Sequence, residues 1–456
     1  MRKRTKLKNN SIMELNDIKF KKTNGGLGRQ GASEDPIGGL LMYLPAFPVT
    51  TLINVANAKI WDIVTMDSGD ALYVAKFLYP EELADCGISR QAMDTDTLTA
   101  ITSVSDSKIK ERSSINALYY HVTEFFRMNP NGTLYVGIPF GEATNVNVEQ
   151  IETLQTYANG SIRQLGIFAS GTGNLGDYQT EATALEKGHR PLSMVVAVPG
   201  KTCAFAANSS SKWVPTYTAV SALTLSKLAS TTASDAFVAS GRCNLSMVAG
   251  CDLDGDVVEM LGHYAYCGFL GTVLGAVSRA AVNESIAWVG KFPLGLKKPG
   301  FISGELLTSV SVANLEKING NRYIFPRCFS GSAECYCNDS FTLDVPTSDY
   351  GYIENERTID KACRGVFNNL LPWLNSPIRV DAESGKMDSG FCSFLETAAG
   401  AALEDMEKSG ELSGYKAEVD PDQNVLATSM VEVVVRSVPT GAMRKVNVKI
   451  GFTTSI

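Results

Sequence analysis

The sequence predicts a multidomain α/β protein (α+β overall), with a central mixed or parallel sheet and crossover helices joined to a C-terminal α+β domain. The chain has 456 residues, more than the roughly 250–300 that one hydrophobic core usually organises. In the middle third, short apolar strands alternate with helices of about ten residues, a pattern typical of parallel sheets. Near the C-terminus, two longer amphipathic helices precede two apolar extended segments, which predict antiparallel strands.

We expect an N-terminal α/β region over residues 31–140. Short apolar runs separated by proline and glycine lie between Ile37 and Val74 and predict strands. Residues 111–128 space their apolar side chains along one face of a helix, which Asn129–Gly132 ends. Thr133–Ile138 is predicted as the strand that follows.

A central α/β region is expected over residues 141–345. The predicted helices are Val148–Tyr157, Asp177–Glu186 and Ala219–Ala229, and the predicted strands are Gln164–Phe168, Met194–Val198 and Leu245–Ala249. Helices of this length between short strands act as crossovers in a largely parallel sheet.

Residues 346–456 are expected to form the C-terminal domain. Amphipathic helices are predicted at Thr358–Leu374, with Pro372 ending or kinking the last turn, and at Ser389–Lys408. Val431–Arg436 is a mostly apolar extended segment. A final segment alternates strictly between apolar and other residues, and its apolar members are Val446, Val448, Ile450 and Phe452. This alternation predicts a terminal strand.

The first 30 residues are predicted to form a flexible N-terminal arm. Apolar residues alternate around Ile18 and Phe20, and the glycines Gly25, Gly26 and Gly28 follow as a hinge. A segment hinged on glycine is poorly suited to the core of its own domain. The basic run over residues 1–8 is expected to be a solvated terminus.

Composition excludes several classes of function. The net charge of −7 over 456 residues offers no basic face, so we expect no nucleic-acid partner. No apolar run approaches the roughly 18–20 residues of a membrane helix, so we expect no membrane insertion. The basic start is followed by Asn9-Asn10-Ser11, unlike a secretory signal, which predicts folding in the cytoplasm of the producing cell.

The ten cysteines show no regular framework, and most are expected to be small buried apolar groups. Cys335 and Cys337, with Cys328 nearby, raise the alternative of a metal site. However, a single residue separates the pair and no second pair completes a site. We therefore expect no bound metal.

Gly171–Gly176 matches the dinucleotide pattern G-x-G-x-x-G and follows an apolar strand. Such sites need an acidic residue at the end of the next strand, about twenty residues on. Here the next strand leads into Pro199-Gly200. A tight strand–helix connection is the favoured interpretation, with no cofactor, and a nucleotide-binding enzyme remains the alternative.

Two further patterns invite an enzymatic interpretation. Residues 252–256 with Glu259 depart from the spacing of a calcium loop and favour a solvated turn. None of His121, His189 and His263 has a serine- or cysteine-centred nucleophile motif beside it, and His121 fits a satisfied helix position. We expect no catalytic site.

The C-terminal region resembles contractile phage tail sheath proteins. Thr347–Ala362 is similar to the segment leading into their C-terminal domain, with an arginine and an aspartate at the start of a helix. The two helices, residues 410–424 and the two extended segments follow in the same order. A looser similarity covers 110–140 and 270–345, and the central region departs from commoner sheath sequences.

The resemblance implies a structural subunit that forms stacked rings, sixfold in symmetry, around an inner tube and contracts to drive the tube through an envelope. Its implied partners are other copies of itself, the tail tube protein, the baseplate and the tail terminator. Both arms would add strands to neighbouring copies. Lys361, Arg364, Glu396 and Glu404 become candidate contacts with the tube or a neighbour.

The same resemblance implies residence in a virion tail or contractile injection particle assembled in the bacterial host cytoplasm. Two other hypotheses remain open from the residues alone. One is the nucleotide-binding enzyme at Gly171–Gly176, and the other is a generic surface or capsid-like structural protein. For the arms, the simpler alternative is that both strands close the subunit's own sheet.

Overall fold

The computed structural model describes residues 36–48, 61–93, 106–140, 145–207, 213–231, 243–381 and 384–452. The strands in these ranges are β1 (Ile37–Met42), β2 (Trp61–Thr65), β3 (Ala71–Phe77), β4 (Thr133–Phe140), β5 (Gln164–Phe168), β6 (Ser193–Ala197), β7 (Lys201–Ala207), β8 (Trp213–Ala219), β9 (Leu245–Val248), β10 (Gly250–Asp252), β11 (Pro299–Phe301), β12 (Pro326–Cys328), β13 (Cys335–Cys337), β14 (Gly414–Val419) and β15 (Val433–Val438). The α-helices are α1 (Glu82–Asp85), α2 (Asp106–Met128), α3 (Val148–Tyr157), α4 (Leu175–Lys187), α5 (Leu225–Leu228), α6 (Gly255–Leu261), α7 (Leu270–Arg279), α8 (Val312–Gly320), α9 (Ile353–Leu370), α10 (Ser389–Lys408) and α11 (Val425–Thr428).

A seven-stranded mixed sheet forms the body of the protein, in the order β2-β3-β4-β1-β5-β6-β9. Strands β4, β1, β5, β6 and β9 run parallel, whereas β3 pairs antiparallel with β2 and β4. The predicted central mixed sheet is therefore confirmed. The expected boundary between residues 140 and 141 falls between β4 and α3, so strands from both regions share this sheet.

The central strands are buried on both faces because helices cover both. In β1, Leu40 and Met42 belong to the core that includes residues of α2 and α7. Leu41, between them, belongs to the core on the other face, with residues of α3 and α4. Every residue of β5 and β6 is buried, which explains why these strands are continuous apolar runs rather than alternating ones.

Helices α2 and α7 approach closely because α7 presents two glycines one turn apart. A Cβ added at Gly271 would overlap the carbonyl oxygen of His121, and one at Gly275 would lie 2.6 Å from that of Phe125. Only glycine allows the two backbones to come this near.

His121 is a buried polar residue at this helix contact. Its Nδ1 accepts a hydrogen bond from the Gly271 N–H at 3.2 Å. The neutral ring therefore carries its proton on Nε2, which lies 3.5 Å from the Cys267 Sγ. Burial lowers the pKa of His121 to about 3. The prediction that His121 is a satisfied helix residue is confirmed.

The C-terminal domain packs α9 and α10 against a two-stranded antiparallel ribbon, β14–β15. The helix predicted at Ser389–Lys408 matches α10 at both ends. The predicted Thr358–Leu374 helix instead begins five residues earlier, at Ile353, and its last turn becomes a 3-10 turn at Leu371–Trp373, which contains Pro372. Proline lacks the N–H that would continue the α-helix.

The helix predicted at Ala219–Ala229 is wrong. Ala219 ends β8, which pairs antiparallel with β7, and a 3-10 turn and the four-residue α5 follow. β-Branched residues occupy every second position of β8, at Val214, Thr216 and Thr218, and this alternation favours a strand. Only Leu223 and Leu228 are buried in the short helical turns.

The cysteines differ from expectation at one pair. Cys328 and Cys335 face each other across β12 and β13 and form a disulfide, so they are not free thiols. The eight other cysteines form no disulfide, and all but Cys363 are buried. For most cysteines, the prediction of small buried groups is therefore confirmed.

Gly271→Ala should destabilise the protein by about 2 kcal/mol or more, because the new methyl group forces α7 away from α2. Gly176→Ala is the matched control, since open space surrounds that helical position; it should be neutral or stabilise by about 0.5 kcal/mol. Urea unfolding followed by circular dichroism measures both. Equal midpoints for the two variants would contradict the close packing described above.

Acidification should also weaken the fold through His121. Its folded pKa of about 3 lies below the ordinary value of 6.5, so the unfolded chain takes up the proton first and stability falls as pH drops below 6.5. Between pH 7 and pH 5 the loss from this residue should be on the order of 2 kcal/mol. In urea unfolding, His121→Gln should reduce the change in the free energy of unfolding between pH 7 and pH 5 by that amount. An unchanged pH dependence would contradict this role of His121.

Candidate functional site

The Gly171–Gly176 loop joins β5 to α4, as the predicted strand–helix connection requires. A Cβ added at Gly171, Gly173 or Gly176 would meet no atom within 4 Å. Crowding therefore does not require glycine at these positions. The Ser170 N–H, just before the loop, donates to the Asn145 Oδ1 at 2.8 Å.

The space just beyond the end of the next strand, β6, is occupied by the backbone around Ile302. After β6, the backbone of Gly200 lies so close to Ile302 that a Cβ there would overlap the Ile302 carbonyl. The Gly200 N–H donates to the carbonyl of Tyr266 at 2.8 Å. In dinucleotide-binding folds the end of this strand carries the acidic residue that binds ribose. Here packed backbone occupies that place, which disfavours the nucleotide interpretation.

The calcium-like loop is held by lysines. Asp252 accepts hydrogen bonds from the backbone N–H groups of Lys297 and Lys298, at 3.0 and 2.9 Å. The ammonium of Lys297 lies 3.3 Å from a carboxylate oxygen of Asp254 and 3.1 Å from one of Asp256. These acidic residues thus fix the segment before β11.

Among the described residues, Cys267 and His121 are the pair that most resembles a catalytic cysteine with its histidine base. Both are fully buried, and burial raises the pKa of Cys267 to about 12 while it lowers that of His121. The thiol stays protonated and the imidazole neutral, so this contact is structural. In the described ranges there is also no cluster of three metal-ligating side chains, and no helix is long and apolar enough to cross a membrane.

Residues 439–452, which we call the C-terminal arm, extend from the end of β15 without secondary structure. Val446, Val448, Ile450 and Phe452 are 63%, 75%, 94% and 108% exposed. The segment predicted as a terminal strand is not a strand here, and it pairs with no described strand of its own chain. Period-two spacing would place these four side chains on one face once a partner strand is supplied.

The β14–β15 ribbon offers edges of the kind that such an arm could join. Val419 and Val433 are paired, as are Gly414 and Val438, over six positions. Within the described residues no third strand pairs with either outer edge. α10 covers one face of the ribbon, so an added strand would continue a surface that already has an apolar side.

The root of the arm is fixed by Arg444. Its Nε lies 3.0 and 3.1 Å from the two carboxylate oxygens of Asp339, and one terminal nitrogen donates to Glu354. The guanidinium carbon lies 3.5 Å from the centre of the Tyr352 ring. The Arg444 side chain is 28% exposed and Glu354 only 6%. Burial raises the pKa of Glu354, which Arg444 opposes.

The four predicted contact residues have different surroundings. Lys361 pairs with the buried Glu411 at 2.8 Å, so it contributes to the domain core. Glu396 accepts a hydrogen bond from the Val419 N–H at 2.9 Å, and Arg364 is half-buried. Glu404 is exposed and pairs with Lys408 at 2.6 Å. Of the four, Glu404 is the most accessible to a partner.

The predicted N-terminal arm residues Ile18 and Phe20, and the hinge glycines Gly25, Gly26 and Gly28, lie outside the described residues. Sequence reasoning missed Arg444, Asp339 and Glu354. Asp339 lies 105 residues before Arg444, and Glu354 lies 90 residues before Arg444. No spacing rule links positions so far apart. The one available signal was a positive charge at the start of an alternating apolar segment.

Lys361→Met should destabilise the C-terminal domain by roughly 3 kcal/mol, because it leaves the Glu411 carboxylate buried without its cation. Lys408→Met, which breaks an exposed pair on α10, should change stability by less than about 1 kcal/mol. Thermal unfolding of the two variants makes the comparison. If Lys361→Met unfolded like the wild type, the pair would be a surface contact instead.

Solved structures share this fold. The PVC sheath complex of an extracellular contractile injection system, in its contracted state, aligns with a TM-score of 0.52 at 12% identity, covering 98% of this chain and 99% of that one. The contracted helical sheath of the anti-feeding prophage has a TM-score of 0.49 at 14% identity, covering 97% and 100%. A baseplate chain of that particle aligns with a TM-score of 0.49 at 11% identity, covering 97% of this chain and 100% of that one.

No curated protein sequence matches this chain significantly. Two family descriptions do match and together span most of it. The DUF2586 N-terminal domain covers residues 86–341, and the DUF2586 C-terminal domain covers residues 349–456. The chain thus has the fold of a contractile-sheath protein and belongs to the DUF2586 family.

Proposed function

We propose that this protein is the structural subunit of a contractile sheath, which polymerises as stacked rings around an inner tube and shortens to drive that tube through a target envelope. The observation that carries the proposal is the C-terminal arm. It exposes Val446, Val448, Ile450 and Phe452 to solvent, beside a ribbon with open edges. The fold shared with the PVC sheath complex supports the same conclusion.

The arm is costly in an isolated subunit and favourable in an assembly. Burying one large aliphatic or aromatic side chain contributes roughly 1.5–3 kcal/mol. A strand added to an open edge gains backbone hydrogen bonds as well, and pockets for alternate side chains fix its register. An arm of one copy completing the ribbon of another would therefore bind through both terms.

Such arms suit a body that must stay connected while its subunits slide. Rigid surfaces lose their contacts when neighbours rotate, whereas a strand inserted in a neighbour's sheet keeps its hydrogen bonds and moves with it. Contraction then needs no bound nucleotide if the extended assembly is held above a lower-energy contracted one, as in other proteins that release stored strain.

The remaining partners follow from the same proposal. The subunit would form sixfold rings with copies of itself, surround a tail tube protein, and contact a baseplate at one end and a tail terminator at the other. The N-terminal segment around Ile18 and Phe20, hinged at Gly25, Gly26 and Gly28, would supply a second exchanged strand. Glu404, Arg364, Glu396 and Lys361 remain candidates for tube or neighbour contacts, with Glu404 first. The particle would be a virion tail or an injection device assembled in the host cytoplasm.

Assembly tests the proposal directly. Concentrated wild-type protein should form hollow striated cylinders in negative-stain electron microscopy. Val448→Ser with Ile450→Ser should abolish them and leave a folded monomer, because about 3 kcal/mol or more of apolar burial is lost at each arm. Asn447→Ser with Lys449→Ser is the matched control, since it changes adjacent residues that alternate with the apolar ones; it should still form cylinders.

Truncation after Arg444, which keeps the contacts of Arg444 with Asp339 and Glu354 and removes the four apolar residues of the arm, should act like the apolar double variant and leave the melting temperature unchanged. Cylinders formed by the Val448→Ser, Ile450→Ser protein would contradict the role of the arm. Compact particles from the wild type under all conditions would contradict the sheath itself. Loss of folding on truncation would instead show that the arm belongs to its own subunit.

A further inference from the structure

We propose that Arg444 is a clasp that fastens the C-terminal arm to its own subunit and thereby sets where the exchanged strand begins. The clasp consists of Arg444 with Asp339, Ser340, Tyr352 and Glu354. Its role in assembly rests on the proposed function, but its existence does not.

The geometry of the clasp is specific to a guanidinium. The Arg444 Nε reaches both oxygens of Asp339 at 3.0 and 3.1 Å, and a terminal nitrogen reaches Glu354 and the Ser340 Oγ at 3.4 Å. The group's flat face lies on Tyr352, 3.5 Å from the ring centre. A lysine could supply the charge but neither the forked hydrogen bonds nor the stacking.

The receiving side of the clasp is also held by contacts that do not involve Arg444. Ser340 donates its hydroxyl proton to Glu354 at 2.5 Å, and the Ser340 carbonyl accepts the Ile353 N–H at 2.9 Å. The guanidinium carbon of Arg322 lies 5.5 Å from the centre of the Tyr352 ring. These contacts hold the Glu354 carboxylate and the Tyr352 ring in place, and together with Asp339 they form the socket that receives Arg444.

The socket is also fixed to the body of the protein. It lies at the start of α9, where Ile353 belongs to the main core. One turn on, Arg357 donates to the carbonyl of Ala280, just after α7, at 3.1 Å. Arg444 therefore links the arm to α9 and α7 by a second connection, besides the covalent one through β15.

The clasp divides the arm into two parts with different reach. Residues 439–444 are held between β15 and the socket, and residues 445–452 are free and exposed. Eight extended residues span at most about 26 Å, and release of the six clasped residues would add about 20 Å. The clasp therefore reduces the volume that the free end of the arm can reach, and the exchanged strand starts at Lys445. Opening it would allow a neighbour to move further away without losing the strand.

A protease that cleaves after lysine can detect the clasp in unassembled full-length protein. Cleavage after Lys445 requires the protease to bind the chain on both sides of that residue, including Arg444, whereas cleavage after Lys449 involves only the exposed outer segment. In the wild type, cleavage after Lys445 should be slower than after Lys449. Mass spectrometry of the released C-terminal peptides gives both rates from the same chain.

Asp339→Asn together with Glu354→Gln weakens the socket without changing the cleaved sequence. This variant should accelerate cleavage after Lys445 by roughly tenfold, because cleavage tracks the population of the open form, and leave cleavage after Lys449 unchanged. Arg444→Ala should do the same. Asp405→Asn, an exposed acidic residue on α10, should leave both rates at wild-type values. If the double variant unfolds, Asp339→Asn alone replaces it.

A ratio of the two rates that stays at the wild-type value in both the socket variant and Arg444→Ala would overturn the clasp. Lys361 lies within α9, so cleavage after it requires unfolding. A general loss of stability would raise the rates after Lys361 and Lys445 together, whereas opening of the clasp raises only the rate after Lys445. The measurement does not involve assembly, so it stands whether or not the wild type forms cylinders.

Discussion

Backbone hydrogen bonding is the constraint on which this architecture depends. A buried peptide group needs a partner, so each strand of the body is paired in the sheet, and helices cover both faces of its central strands. The sheet edge at β9 follows the same rule, since the Ile324 N–H donates to the carbonyl of Met247 and the Ala249 N–H to that of Ile324. Within the described residues, the outer edges of the C-terminal ribbon and the arm have no partner strand. That contrast separates the sheet of the body, whose strands are paired, from the part of the chain for which we propose a partner strand in another copy.

The junction between these two parts is rigid and polar. Helix α9 starts inside the main core at Ile353 and ends in the C-terminal domain, where Val366 packs against residues of α10. Thr358 donates to the carbonyl of Val282 at 3.4 Å, and His189 of the body stacks on Phe367 at 4.0 Å between ring centres. A helix held at both ends in this way moves as one piece with the body, which is what a subunit that transmits force through its arm would need.

Local periodicity predicted much of this fold, and distance along the chain limited the rest. Val148–Tyr157 and Gln164–Phe168 were predicted to the residue, because a capped helix and a buried apolar strand are recorded in a few consecutive positions. The prediction of a helix at Ala219–Ala229 failed because Ala219 pairs with β7 as the last residue of β8. The apolar spacing of the remaining residues supports only short helical turns. The socket of Arg444 is assembled from three separate stretches of sequence, and the Cys328–Cys335 bond depends on a hairpin whose register the spacing alone did not indicate.

The residues between the apolar positions of the arm have a consequence of their own. Lys445 and Lys449 alternate with Val446, Val448 and Ile450. If two free arms met and paired in register, their positive charges would lie opposite each other, which disfavours a strand pair. Newly made subunits are thereby discouraged from joining through like segments, which is the route by which exposed apolar strands grow into fibrils. Under the proposed function, an arm that repels its own kind would stay available for the edge of a folded neighbour.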